Sequence, residues 1–440
     1  MPNQTDRPNI LFFFPDQLRF DWLSDNPELP IRTPNLERLQ KAGINFTHTI
    51  VASPVCAPSR ATVALGLEYD NCPVKGNGDN LPLDSTTFYK RLRDSGYHVM
   101  GCGKFDLNKA TCTAKQSAWG LDGKRFLDKW GFSDGINNEG KGDGRSSGQE
   151  KPQGPYIQFL EDRGLRLIHL EDFSKRHKTA AFPTPLPEDA YCDNWIAQNG
   201  LDLINAAPDG QPWFLQVNFN GPHGPWDITE SMVDLYDAND MPHPYGAGEL
   251  PAEEYLGVRR NYSAMVENID RWVGEYLCLL EKRGELENTL IVFSSDHGEM
   301  LGDRDEWGKS KPWHPSAGVP LIISGPGVQQ NVTCHLPTTI LDFPATFLDY
   351  AGLDTPDDMD SRSFKAILEG RADNHRDVVI SGLNNWRLAY DGRFKLIRSK
   401  ALGTLFFDLE NDPQETTNLA DDPAHADRIR DLGAYLPETF

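Results

Sequence analysis

The chain has 440 residues, with 43 Lys and Arg against 65 Asp and Glu and a formal net charge of -22. That balance argues against nucleic acid or an anionic membrane as a partner, and no run approaches the ~18 apolar residues that a spanning helix needs. Length and a hydrophobic content of 38% point to one large α/β unit with an appendage.

Met1 to Arg7 lead directly into a strand, with no basic segment, separate apolar segment or cleavage site, so a cytoplasmic location is expected. Cysteines 56, 72, 102, 112, 192, 278 and 334 form no CxxC pair and are expected as reduced thiols. Asn9 to Phe14 is a continuous apolar run, as in a buried parallel strand, and Asp16-Gln17 follow it. Ligands bind at the carboxyl ends of strands in open α/β sheets, so this carboxylate and amide are candidate metal ligands. Thr33 to Gly43 reads as a helix capped by Thr33, with Pro34 at its first position.

Cys56-Ala57-Pro58-Ser59-Arg60 opens a helix that Gly66 ends. Pro58 suits the first helical position, and Cys56 would then lie at a helix N-terminus, where negative charge is favoured. A helix over 85–95 and a strand over 97–100 come next, with Lys104 and Asp106 beyond the strand. Residues 108–195 are rich in Gly, Lys, Asp and Ser around 140–154, have weak periodicity, and read as a variable region that shapes a pocket. A helix is expected from Glu188 to Ala207 and a strand from Trp213 to Phe219, which delivers His223 between two prolines. Met265, Ile269, Trp272, Val273, Tyr276, Leu277 and Leu280 mark an amphipathic helix over 261–282. Thr289 to Ser295 is a second clear parallel strand, ending in Asp296-His297-Gly298-Glu299, with Lys309 and His314 beyond it. A strand at 319–323 and a helix at 341–350 complete the large unit. From about residue 374 the period becomes two, and Asp391-Gly392 signals a hairpin between 386–390 and 393–397. A strand at 405–409 and a helix at 423–436 follow. Domains are therefore expected at 1–370 and 371–440.

Cys56-Ala57-Pro58-Ser59-Arg60, Ser294 to Asp303 and the tail stretch Phe407 to Pro413 with Glu415 and Asn418 together resemble the formylglycine-dependent sulfatase family of the alkaline phosphatase superfamily. The resemblance covers essentially the whole chain. It implies an α/β fold with a large mixed, mostly parallel sheet sandwiched by helices, plus a small C-terminal antiparallel sheet with a helix. It also implies that Cys56 is oxidised to formylglycine by a maturation enzyme that reads the C-x-P-x-R pattern. The hydrated aldehyde then takes the sulfuryl group on one hydroxyl and expels sulfate through the other.

Asp16, Gln17, Asp296 and His297, with the oxygen of residue 56, can hold one divalent cation. Mostly oxygen ligands favour Ca²⁺, Mg²⁺ or Mn²⁺, and the resemblance selects Ca²⁺. Arg60 would orient the hydrate, Lys104 and Lys309 would hold sulfate oxygens, and His223 would protonate the leaving alcohol. The family usually carries Gly-Lys-x-His, whereas here Asp106 stands at the histidine's place. Asp106, or His314 just past Lys309, would have to supply that function. Trp226 and Asp227 are candidate sugar contacts, and a small sulfated saccharide is the expected substrate, with an aryl or alkyl sulfate as the alternative. The Asp16-Gln17 and Asp296-His297 pairs also occur in the phosphonate monoester and phosphodiester hydrolase branch. Ser59, where that branch often carries Ala, sides with sulfatase. A catalytically silent binder of sulfated molecules fits poorly with a complete nucleophile, cation and metal set. Oligomeric state is left open.

Overall fold

The computed structural model describes residues 7–109 and 119–440. Cys112 and the leading residues 1–6 lie outside them. Fourteen strands are labelled in chain order among the described residues. The main sheet contains β1 (Asn9–Phe13), β2 (Gly43–Phe46), β4 (His98–Gly103), β5 (Asp134–Asn137), β6 (Trp213–Asn218), β7 (Thr289–Phe293), β8 (Leu321–Ser324) and β9 (Val332–Cys334). Their spatial order is β5-β4-β6-β1-β7-β8-β2-β9. The five strands from β5 to β7 run parallel. β8 is antiparallel to both its neighbours, and β2 and β9 are parallel. β3 (Thr49–Ile50) and β10 (Thr338–Thr339) form a separate two-stranded pair.

The period of two in β1 divides the core into two layers. Leu11 and Phe13 pack with Ile196, Ile204, Met265, Ile269 and Val273 on one face. Ile10, Phe12 and Phe14 pack on the other with Ala61, Phe88 and Phe347. Those partners come from the long helices Cys192–Ala206 and Ala252–Arg283 on the first side. α1 (Pro34–Ala42) adds Leu36 and Leu39 to the first layer, and on the second side the partners come from α2 (Cys56–Leu65), α3 (Phe88–Asp94) and Phe343–Tyr350. The mixed sheet between helical layers is the architecture expected.

The C-terminal sheet is an antiparallel meander of β11 (Val379–Leu383), β12 (Trp386–Tyr390), β13 (Phe394–Ser399) and β14 (Gly403–Asp408). The helix Ala426–Gly433 packs on it through Leu432. The tail motif serves this unit: Asp408 pairs with Arg393 at 2.7 Å, and Asn418 Oδ1 accepts from the Phe406 N–H at 2.9 Å.

Several local expectations are corrected. Gly43 does not end α1 in a loop; it begins β2, where an added Cβ would lie 2.1 Å from the Ile323 carbonyl oxygen. The Thr33 hydroxyl bonds to Ser24, and the first-turn N–H groups of Asn35 and Leu36 donate to Asp270 instead. β4 runs through to Gly103, whose φ of +102° and contact with the Asn218 carbonyl admit only glycine. The 261–282 helix starts earlier, at Ala252. The described part of 108–195 carries regular structure: β5 and helices at Lys141–Ser147, Pro155–Asp162 and Arg166–Lys175. Glycines at 140, 142, 144 and 148 hide the first helix from propensity, while Tyr156, Ile157 and Leu160 anchor the second in the core.

Candidate active site

Four adjacent strands, β4-β6-β1-β7, end at the same edge and deliver Lys104, His223, Asp16-Gln17 and Asp296-His297. The fifth contribution arrives sideways, from the start of α2. Val55 is extended, with φ of −149° and ψ of 139°, and α2 begins at Cys56, so Pro58 is its third residue rather than its first. Its missing N–H would be without an intrahelical partner there too. Gly66 ends the helix in the left-handed region at φ 69°, as expected. All ten residues of α2 are buried, which fixes the position of Cys56.

The Cys56 Sγ lies 2.9 Å from Lys309 Nζ, 3.3 Å from His297 Nε2 and 3.6 Å from Lys104 Nζ. It also lies 3.8 Å from Asp16 Oδ1. Burial and Asp16 push this thiol up; Lys104 and Lys309 pull it down, and the pull leaves it below its ordinary value. Asp16 is wholly buried, which raises its carboxyl, but Lys104 and Lys309 overcome the burial and hold it well below the usual range. Lys104 bonds Asp16 directly.

One ligand atom each from Asp16, Cys56, Asp296 and His297 falls within 4.8 Å of the others, all buried. His297 Nδ1 donates to the Gly298 carbonyl at 3.0 Å, which leaves Nε2 facing the cluster. Burial lowers that imidazole, yet Asp296 raises it above its ordinary value. Two buried carboxylates and an imidazole turned inward fit a hard divalent cation, and Gln17 adds an amide oxygen that accepts from Lys309 at 2.6 Å.

Arg60 is anchored on both sides of the site. Its Nε donates to Asp296 Oδ2 at 2.9 Å, and a terminal nitrogen donates to the Lys104 carbonyl at 2.8 Å and Asn218 Oδ1 at 2.9 Å. With Phe14 beneath it at 5.0 Å, the guanidinium locks the carboxylate cage together. Ser59 Oγ donates to the Asp296 carbonyl at 2.5 Å, tying α2 to the end of β7.

Cys56 opens onto a cavity of about 180 Å³ that Lys104, Lys109, Lys141, His223 and Lys309 also line. His223 Nδ1 donates to the Gly224 carbonyl, so Nε2 is the free ring nitrogen. Burial, then the Lys309 charge, holds that imidazole well below its usual value. Lys109 and Lys141 carry no motif and are missed by sequence reasoning. Asn77 is missed as well: its Oδ1 accepts from the Ala57 N–H at 3.1 Å and satisfies part of the α2 terminus.

Three expected residues are relocated. Asp106 is buried between Lys104, 3.0 Å away, and Lys109, 3.2 Å away. Burial would raise its carboxyl, but those two charges hold it far below the usual range, so it is a poor proton acceptor. His314 lies outside the cavity: its ring packs 4.4 Å from Phe20 and 5.7 Å from Tyr390 and lines a separate space beneath the C-terminal sheet. Asp227 faces inward, 2.7 Å from Lys141 Nζ. Trp226 does line a second, wider cavity that shares His223 and Lys309 with the first.

Comparison with known proteins places this geometry. A family model described as Sulfatase matches residues 8–353, and one described as N-sulphoglucosamine sulphohydrolase, C-terminal, matches 302–439. An arylsulfatase of Clostridium perfringens is 26% identical, over 98% of this chain and 94% of its own length. A crystal structure of a phosphonate monoester hydrolase of Agrobacterium radiobacter superposes with TM-score 0.81 at 24% identity, covering 97% of this chain and 94% of that one. A structure solved with its substrate D-glucosamine-2-N,6-O-disulfate gives 0.77 at 20% identity, over 97% and 96%.

Proposed function

The chain belongs to the sulfatase family and is a sulfuric ester hydrolase, and from that premise we propose that it removes sulfate from a saccharide through residue 56 oxidised to formylglycine. The observation that carries the reading is the setting of Cys56: a buried helix start with two ammonium groups within 3.6 Å of Sγ, facing a cavity. A thiol needs no such cage, whereas a sulfate in transfer does. As a formylglycine hydrate, residue 56 would supply two hydroxyls on one carbon, one to take the sulfuryl group and one to release it.

Lys104 and Lys309 bind the sulfate oxygens and take up the charge that develops on them. His223 holds its Nδ1 proton on Gly224 and turns Nε2 to the site; burial and Lys309 keep that ring neutral, so Nε2 gains the proton it passes to the leaving oxygen only once the bound sulfate's charge offsets Lys309. Asp16, Gln17, Asp296 and His297 would hold a divalent cation, with Ca²⁺ preferred, and that ion would supply charge neutralisation and an acidified hydroxyl at residue 56. Arg60 positions the carboxylates, and Asp106 keeps Lys104 in place by charge. The saccharide is supported by the neighbouring fold solved with a sulfated glucosamine.

Purified protein bearing formylglycine should be assayed on sulfated saccharides, an aryl sulfate, a phenylphosphonate monoester and a phosphodiester. Highest kcat/KM on a sulfated saccharide is expected. A phosphonate preference would move the chain to the phosphonate monoester hydrolase reading.

A further inference from the structure

Glu299, three residues past Asp296, is a wholly buried carboxylate beside the candidate metal ligands. Its charge is met by three N–H donors. Oε1 accepts from the Leu301 N–H at 3.1 Å and from the Gly308 N–H, and Oε2 accepts from the side-chain amide of Gln17. Among the described residues it makes no ion pair, so its burial costs free energy that these donors only partly offset.

Each outer donor belongs to a working part of the site. Gln17 Oε1 accepts from Lys309 Nζ at 2.6 Å, and that ammonium lies 2.9 Å from Cys56 Sγ and 3.9 Å from Asp16 Oδ1. An ammonium only donates and a carboxylate only accepts, so the Gln17 amide has a single orientation between them, with its NH2 on Glu299 and its oxygen on Lys309. The backbone of Gln17 is fixed as well. Its φ is +72°, its N–H donates to Asp296 Oδ1 at 3.0 Å, and its carbonyl accepts from the Tyr262 hydroxyl at 2.6 Å. Gly308 directly precedes Lys309, and its carbonyl accepts from the Met300 N–H at 2.9 Å. Glu299 Oε1 therefore holds the loop that leads from β7 to Lys309 near both its ends.

We propose that Glu299 is a positioning residue for the reaction. It turns the Gln17 amide oxygen toward the cation site and sets the place of Lys309, and it acts through those two side chains. The same contact requires an amide at position 17, because a carboxylate there would face another carboxylate. This rests on the reading of Asp16, Gln17, Asp296 and His297 as a cation site.

Exchanging the two side chains tests it. Glu299→Gln keeps an oxygen for the Leu301 and Gly308 N–H groups but sets NH2 against NH2 at Gln17. Gln17→Glu sets carboxylate against carboxylate. Gln17→Glu combined with Glu299→Gln again places a donor opposite an acceptor at every contact. Chelator-stripped, formylglycine-bearing proteins are titrated by calorimetry with Ca²⁺, Mg²⁺ and Mn²⁺, and kcat and KM are then measured on a sulfate ester that the wild type turns over. Glu299→Gln should weaken binding of the tightest ion and lower kcat, each by roughly tenfold or more. The double variant should exceed both single variants in kcat and come within about threefold of wild type. If Glu299→Gln does not fold, the double variant is still expected to fold and turn over. Unchanged ion binding and kcat in Glu299→Gln, or a double variant no better than the single ones, overturns the proposal while the cation reading stands. Wild type that binds none of the three ions overturns that reading and the proposal with it.

Discussion

Glu139 shows how one buried group sets a pH limit on the whole protein. It is fully buried; Oε1 accepts from the Ile157 N–H at 2.9 Å, and Oε2 has no hydrogen-bond partner among the described residues. Burial pushes its carboxyl up to about 7 from 4.5. Between those values the native state holds a proton that the unfolded chain has lost. Stability from this group is therefore complete below about 4.5 and lost as pH rises to about 7, a change of about 3 kcal/mol. Glu139→Gln should remove that slope: denaturant melts should show the variant gaining on wild type at pH 8 and not at pH 4.5. Parallel profiles would contradict the assignment. His314 is the opposite case, a residue whose chemistry suggested catalysis and whose position denies it. His314→Ala should leave kcat/KM unchanged and cost about 2 kcal/mol of stability from lost packing on Phe20 and Tyr390; a large rate loss at unchanged stability would return it to the site.

At the scale of elements, the helix Lys141–Ser147 is held to the catalytic layer by two ion pairs, Asp143 with Lys109 at 2.6 Å and the more deeply buried Lys141 with Asp227. Lys141 Nζ lies 2.7 Å from Asp227 and 3.1 Å from the Tyr191 hydroxyl, all three buried. Lys141→Ala would strand Asp227 without a cation and should cost about 3–5 kcal/mol in thermal or denaturant unfolding. A near-neutral effect would show that water reaches Asp227. This pair also marks where sequence reasoning stops. Asp16, Lys104, His223 and Asp296 were legible because each follows an apolar run that can only be a buried strand, and strand ends gather at one edge. Cys56 was legible through Pro58, Arg60 and Gly66. Lys141 and Lys109 lie in Gly-rich or polar stretches without periodicity, and Asp227 meets Lys141 86 positions away. The spacing of Arg60 from Cys56 places it nearby without saying that Asp296 holds it.

For the whole molecule, the C-terminal sheet is fastened to the catalytic unit by a buried pair that the tail motif supplies. Lys395 on β13 pairs with Glu415 and donates to the Pro312 carbonyl at 3.0 Å, and Glu415 also accepts from the His314 N–H at 2.7 Å. Burial lowers the Lys395 ammonium, so it depends on that carboxylate. Glu415→Ala should lower stability by about 3 kcal/mol or more and loosen the segment beyond Lys309. Kinetics should then change together with the melt. A variant as stable as wild type would show that the sheet docks through its apolar cluster alone.

The central claim is that residue 56 works as formylglycine. It is tested most directly by the mass of the peptide containing residue 56, measured on protein produced with and without a formylglycine-generating enzyme and set against turnover of a sulfate ester. Activity is predicted to rise in proportion to the modified fraction and to vanish in Cys56→Ala while the melt is kept. Full turnover by protein whose residue 56 is unmodified cysteine would contradict the account.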